Sequence, residues 1–352
     1  MPLIRTRADI DEHLGGPTPA EDKLLATCLA GDFCVLSGEL PPKRAPDPAI
    51  QIRADVLRYL ITGGCDLHPV ADWGVTLAGA HITGSLDLNL ASSHGVTGLI
   101  RCRFDNPIDA LQAKLQILNL NSSAVPALNA QGAKVTGSVL LRGITAEATV
   151  AINSATIDGQ LSCEDARFNA TSGHALNAHS MQVKGSVFLR GITAEATVAI
   201  NSATIDGQLD CDDAGFNATS GHALNAQGAK VRQAFFFRRV STANGVINLT
   251  TAQVGTLVDD PESWPSKERL ILDGFIYSTV ENATFLKLTH RLDWLAKGST
   301  WVTSSTPSPT RSWPRSTARW DTEKMRAPSC LISNGSVVSI AESSAASNQT
   351  AT

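Results

Sequence analysis

The strongest constraint on this chain is a segment followed directly by a near copy of itself. Residues 127–174 read ALNAQGAKVTGSVLLRGITAEATVAINSATIDGQLSCEDARFNATSGH, and residues 175–222 repeat that string with about nine substitutions. A third copy opens at Ala223 and decays into the run Phe235-Phe236-Phe237. A unit recurring every 48 residues must bury its apolar face on its neighbours, so it specifies a stack rather than a globule. Each unit carries a shorter echo, A-x-[VI]-x-G-x-[VL], at Ala133–Val139, Ala155–Leu161 and Ala203–Leu209, and with Met181 in place of alanine at Met181–Val187. The glycines of these echoes, Gly137, Gly159, Gly185 and Gly207, lie 22, 26 and 22 residues apart, which makes one unit two coils. Ala80–Leu86 extends the pattern upstream, and Leu115–Leu120 supplies a degenerate coil between.

Even spacing decides strand over helix. Val135, Val139 and Leu141, like Ile157 and Leu161, fall at separations that place them on one face of an extended chain. A leucine-rich horseshoe would need L-x-x-L-x-L, which is absent. The expected fold class is therefore all-β, a parallel β-helix or β-solenoid over residues 74–258. Glycines are expected at its corners because they tolerate positive φ. The copies also align Asn129 with Asn177 and Asn225, Asn153 with Asn201, and Asn169 with Asn217, which predicts amide ladders along the stack.

The flanks read as caps. In residues 1–73, Thr18-Pro19-Ala20-Glu21 has the form of a capped helix start and Gly31 of its stop, and Ile52–Ile61 is amphipathic. In residues 259–298, Asp259–Pro265 reads as a loop, Leu270–Tyr277 as a strand, and Leu286–Lys297 as a short closing helix. Beyond Gly298 the composition shifts abruptly to Ser, Thr, Pro, Arg and Trp without periodicity. Residues 299–352 are expected to be disordered, and the string from Pro309 to Thr322 can be back-translated so that a neighbouring frame reads as a helical pattern, which suggests a frame error.

Bulk properties narrow the function classes. A net charge of −4 and a pI near 6.1 argue against a general nucleic-acid binder. Seven scattered cysteines without a C-x-x-C pair fit reduced thiols rather than a disulfide framework or zinc site, and Cys163 and Cys211 occupy equivalent positions suited to small buried residues. Neither a secretory signal nor a membrane-spanning run is evident, so the expected location is cytoplasmic, with a peripheral membrane contact left open.

Several segments carry a family resemblance: Ile52-Arg53-Ala54-Asp55-Val56-Leu57-Arg58, GVTLAGAHITGSLDL from Gly74 to Leu88, DDPESWP from Asp259 to Pro265, and LDGFIY from Leu272 to Tyr277. Over roughly residues 50–298 the chain resembles bacterial pentapeptide-repeat-like solenoid proteins, often labelled oxidoreductase or membrane-associated oxidoreductase. The resemblance implies a solenoid and a redox label, and carries no catalytic residues with it. The family's chain continues into a helical tail, so this sequence departs from the pattern after Gly298.

Signatures for dinucleotide, haem, iron–sulfur, nucleotide-phosphate, zinc-protease and serine-hydrolase sites are all missing, and no cofactor or metal is predicted. Candidate surface rows remain. Glu164 and Asp165 match Asp212 and Asp213 one unit on, with Asp210 nearby; a carbohydrate-active β-helix could use such acids, although stacking sets equivalents roughly 10 Å apart, beyond the inverting range. A solvated acidic face is the plainer reading. Arg142, Arg190 and Arg238 form a basic row suited to an anionic polymer or, more simply, to keeping strands soluble. His174 and His222 read as corner residues, and Phe235–Phe237 as a plug at the end of the array. The sequons at Asn169 and Asn217 arise from the repeat itself. The function expected from all this is a non-enzymatic scaffold or binding module for a protein or polymer. The alternatives are the family's redox label and a DNA-mimicking solenoid.

Overall fold

In each side of a coil only two inward positions are available, two residues apart. Leu128 and Ala130, Ala133 and Val135, Val139 and Leu141, and Ile144 and Ala146 fill four successive sides, all buried. The next pair, Val150 and Ile152, opens the following coil 22 residues after the first. Within the two near-identical units every second coil carries four more residues, inserted in the Asn169–His174 and Asn217–His222 turns, and this produces the alternation of 22 and 26.

The computed structural model describes residues 3–43, 47–65, 68–281, 288–298, 331–333 and 336–338. The chain divides into Met1–Ser316 and Thr317–Thr352. The described part of the second unit is an antiparallel pair, Leu331–Ser333 with Ser336–Val338. The rest of the tail expected to be disordered or frame-shifted lies outside the described residues.

The first unit is a parallel β-solenoid with four strand rows, here called walls 1 to 4 in chain order within a coil. Wall 1 runs through Leu128–Asn129 and Val150–Ala151, wall 2 through Lys134–Val135 and Thr156–Ile157, wall 3 through Val139–Leu140 and Leu161–Ser162, and wall 4 through Thr145–Ala146 and Arg167–Phe168. Walls 1 and 4 hold nine strands each, which sets about nine turns. Walls 2 and 3 are joined into one sheet because Lys230–Phe237 straightens the corner between them into a single strand.

Positive φ is found at the corner columns and in the inserted turns, and at Gly84 (φ 81) of the upstream echo, but not at the four glycines of the repeated units. Ser154, Ser180 and Ser202 (φ 58, 54 and 58) hold the corner between walls 1 and 2 with Gly132, while Asp165 and Asp213 (φ 57 and 60) alternate with Gly143 and Gly191 between walls 3 and 4. Gly137, Gly159, Gly185 and Gly207 stack between walls 2 and 3 without positive φ. They are glycine for want of room: a Cβ on Gly159, Gly185 or Gly207 would lie 2.7, 2.5 or 2.7 Å from the carbonyl oxygen of the glycine one coil before. Those carbonyls accept the glycine N–H groups at 2.8, 2.9 and 3.0 Å, so the backbones sit in direct contact.

The asparagine ladders are also corrected. Asn129, Asn177 and Asn225 share a column, yet Ala151 and Ala199 intervene, because equivalent residues of the two units stand two coils apart. Each instead caps its own turn, accepting from the N–H of Gln131, His179 or Gln227 at 3.4, 3.3 and 3.2 Å. Asn153 and Asn201 are likewise separated by His179, and Asn169 and Asn217 by Glu195.

Stacking continues past both ends of residues 74–258. Cys34–Val35 pairs with Leu77–Ala78, and Gln51–Arg53 with His81–Thr83. Helix α1 (Arg7–Leu14), α2 (Pro19–Ala30) and α3 (Ala54–Ile61) pack at this end. The expected Thr18–Glu21 capping box and Gly31 stop are present; α1, with its own Thr6–Asp9 box, was not foreseen. Buried Glu21 ties the cap together by accepting from Arg53 N and Nε at 2.9 Å each.

At the other end Leu270–Ile271 and Ile276–Val280 add a further coil rather than one continuous strand. The Asp259–Pro265 stretch holds a 3-10 turn at Pro261–Ser263 capped by Asp260. Helix α4 spans Leu288–Gly298, and the preceding part of the expected helix lies outside the described residues. Phe235 and Phe237 are buried; Phe237 stacks on Trp264 at 4.4 Å, and Trp264 meets Trp294 of α4 at 5.6 Å. This aromatic pile is the plug that the phenylalanine run predicted.

Candidate functional site

Between Val139, Leu161, Val187, Leu209 and Phe235, which point inward along wall 3, the chain has outward positions at the next residue and again two further on. The first outward column runs Asn119, Leu140, Ser162, Phe188, Asp210, Phe236. The second runs Asn121, Arg142, Glu164, Arg190, Asp212, Arg238, fixed by N–H bonds from the following corner residues to the carbonyls of Arg142, Glu164, Arg190, Asp212 and Arg238.

Glu164 and Asp212 therefore share one column of alternating sign with the arginines, where the sequence suggested separate rows, while Asp210 lies in the first column and Asp165 and Asp213 at the next corner. Arg142 Nε lies 3.1 Å from Glu164, Arg190 Nη2 2.6 Å from Asp210, and Arg239 Nε 2.6 Å from Asp213. Arg238 binds Asp212 through its backbone N–H at 3.0 Å and its Nε at 2.9 Å, with a further contact from Nη2. The half-unit offset of 22 residues causes this: it sets each arginine beside an acid of the next coil before its own copy recurs.

The reading of a solvated acidic face is corrected for two of its members. Asp210 and Asp212 are only 1% exposed, and Asp212 also donates its N–H to Asp210 Oδ1 at 3.0 Å. Charge-assisted bonds of this kind keep buried carboxylates tolerable. The bonds to Asp210 and Asp212 raise the guanidinium pKa of Arg190 and Arg238, and the bond from Arg239 holds the Asp213 carboxyl below its ordinary value. Arg190 stands between Glu164 and Asp212, so the equivalent acids do not face each other across open space. Asp165 is exposed at its corner, apart from these pairs.

A second alternating column went unnoticed in the sequence. Asp158, Lys184, Asp206 and Arg232 stack at the corner of walls 2 and 3, with Lys184 2.8 Å from Asp158 and Arg232 3.3 Å from Asp206. Its signal was available: the same period with opposite charges offset by half a unit.

His174 and His222 sit on the inserted turns, where their carbonyls accept from Thr149 and Thr197 hydroxyls at 2.7 and 2.6 Å. Among the described residues no group of three or more His, Cys, Asp or Glu is placed to hold a metal ion. Cys163 and Cys211 are fully buried, and burial pushes the Cys163 thiol up to about 12. Buried His81, bonded to Asp105 at 2.6 Å, lies in wall 4 and was not foreseen. Only local patterns were legible, and this contact spans 24 residues.

Among the described residues no helix is long and apolar enough to cross a membrane. No protein-family model, curated protein or solved structure matches the chain.

Proposed function

We propose that this chain is a non-catalytic binding module, a rigid solenoid whose wall 3 receives an extended protein or polymer partner. The observation that carries the reading is the pairing along that wall: Glu164, Asp210, Asp212 and Asp213 each meet an arginine of an adjacent coil. General acid–base work needs a carboxyl group that exchanges its proton with a substrate, and an arginine contact opposes that exchange. The same pairs fix long side chains in place and so lower the entropy lost on binding.

Kinship with pentapeptide-repeat solenoids belongs to this proposal. It is supported by four short sides per coil and by buried pairs that recur every five or six residues, as at Leu128, Ala133, Val139 and Ile144. A DNA mimic would need an unbroken acid row, and alternating charge speaks against one. Burial of Phe235 and Phe237 in the plug likewise favours a wall-borne contact over a lipid-facing one.

The family's redox label is the rival, and a visible absorption spectrum of the purified full chain tests between them. The module reading expects no visible band. A stoichiometric flavin or haem spectrum would overturn it.

A further inference from the structure

Resting on the binding-module reading, we infer that wall 3 takes an uncharged, extended β-linked polysaccharide, with two sugars matched to each two coils. Phe188 and Phe236 occupy equivalent places in successive units, both half-buried on the outer face with buried residues on either side in sequence. They are separated by Asp210 alone in their column, hence two strand spacings, or ~9.6 Å, apart. In an extended β-1,4-linked chain alternate sugars are flipped, so the same sugar face returns every second residue, over a length close to that separation. Flat aromatic rings on that spacing offer apolar platforms to the C–H faces of every second sugar.

The groups around the rings suit hydroxyls. Arg142 and Arg190 have side chains 58% and 52% exposed, and each guanidinium has five donors of which the paired carboxylate engages only part. Gln160 and Gln208 lie two residues before Ser162 and Asp210 on the same outer face, their backbone N–H groups bonded to Ser138 and Ser186 hydroxyls at 3.2 Å each. The Arg238 guanidinium, bonded to Asp212, lies over the Phe236 ring at 5.4 Å from its centroid and so steadies that ring while covering part of it. Charge selects the ligand class: arginines neutralised by neighbouring acids provide no net attraction for a polyanion and no repulsion for a neutral polymer. Leu140 holds the corresponding place in the first unit and lacks the ring.

Co-sedimentation of the full chain with insoluble β-1,4-glucan and with chitin, against starch as an α-linked control, tests this. Retention is expected on a β-linked polymer and not on starch, and it should persist at high salt. The Phe188→Ala/Phe236→Ala double variant should lose at least ~tenfold in affinity. Leu140→Phe, which copies the next unit, should bind more tightly and guards against a loss caused by misfolding. Absence of retention on both β-linked polymers, release by salt, or equal binding by all variants would overturn the inference. Because the module reading falls on a chromophore and this one on retention, the two failures are distinguishable.

Discussion

At the residue scale the solenoid separates two reasons for glycine that sequence alone merges. Gly185 has no room for a Cβ, which would lie 2.5 Å from the Gly159 carbonyl oxygen, whereas Gly132 (φ 64) occupies a corner column that serine fills at residues 154, 180 and 202. Gly185→Ala should destabilise the protein by ~1–3 kcal/mol through overpacking against backbone. Gly132→Ser meets no such backbone contact and should cost about 1 kcal/mol, the lower end of the left-handed penalty that the serines in that column already bear. Denaturation midpoints compare the two, and equal losses would contradict the distinction. The buried thiols give a pH prediction. Burial raises Cys163 from 9.0 to about 12, so the folded state holds its proton where the unfolded state releases it. Its contribution to stability is complete below pH 9 and is lost as pH rises towards about 12. Cys163→Ala should flatten the alkaline fall in unfolding free energy; an unchanged slope would remove this thiol as a source.

At the scale of elements the alternating columns make the 48-residue unit, not the coil, the step by which the array can change length. Asp260 follows Arg238 in the column, since Phe237 pairs with Asp259, so deleting residues 175–222 leaves Arg142, Glu164, Arg238 and Asp260 in succession with signs still alternating. Deleting the single coil 187–208 removes fewer residues but brings Glu164 against Asp212 and Lys184 against Arg232. Like charges directly opposite destabilise neighbouring strands. The shorter deletion should therefore melt at a lower temperature by circular dichroism than the longer one, and the reverse order would sink this view of the columns. Much of this level was legible: period, even spacing and the Phe235–Phe237 plug all follow from local apolar pattern. Charge pairing and ladder interruption were hidden because they depend on which coil lies next door, and aligning copies by identity compares coils two apart. Helix α1 escaped notice because its eight residues bury only Ile10 and show little amphipathic pattern. Corner glycines with positive φ were expected and occur at Gly132, Gly143 and Gly191, whereas the column of Gly137, Gly159, Gly185 and Gly207 owes its glycines to contact between coils.

For the first unit as a whole, the backbone ladder is continuous from the Cys34–Val35 strand to Ile276–Val280, with a helical cap at one end and an aromatic pile with α4 at the other. Solenoid ends are where strand edges stand open; here α1–α3 pack at the first coils, and α4 packs Trp294 onto the aromatic pile near the last. The same long, regular stack is what gives wall 3 a fixed ruler of rings and charges, so a polymer-binding role depends on its geometry more than on any single residue. Pulsed dipolar spectroscopy with spin labels on wall 3 measures that ruler. Asn119 to residue 188 spans three coils and Asn119 to residue 236 spans five, so the second distance should exceed the first by ~10 Å, with both narrowly distributed. Distances that are broad, or that fail to grow with the number of coils between the labels, would contradict the stacked wall.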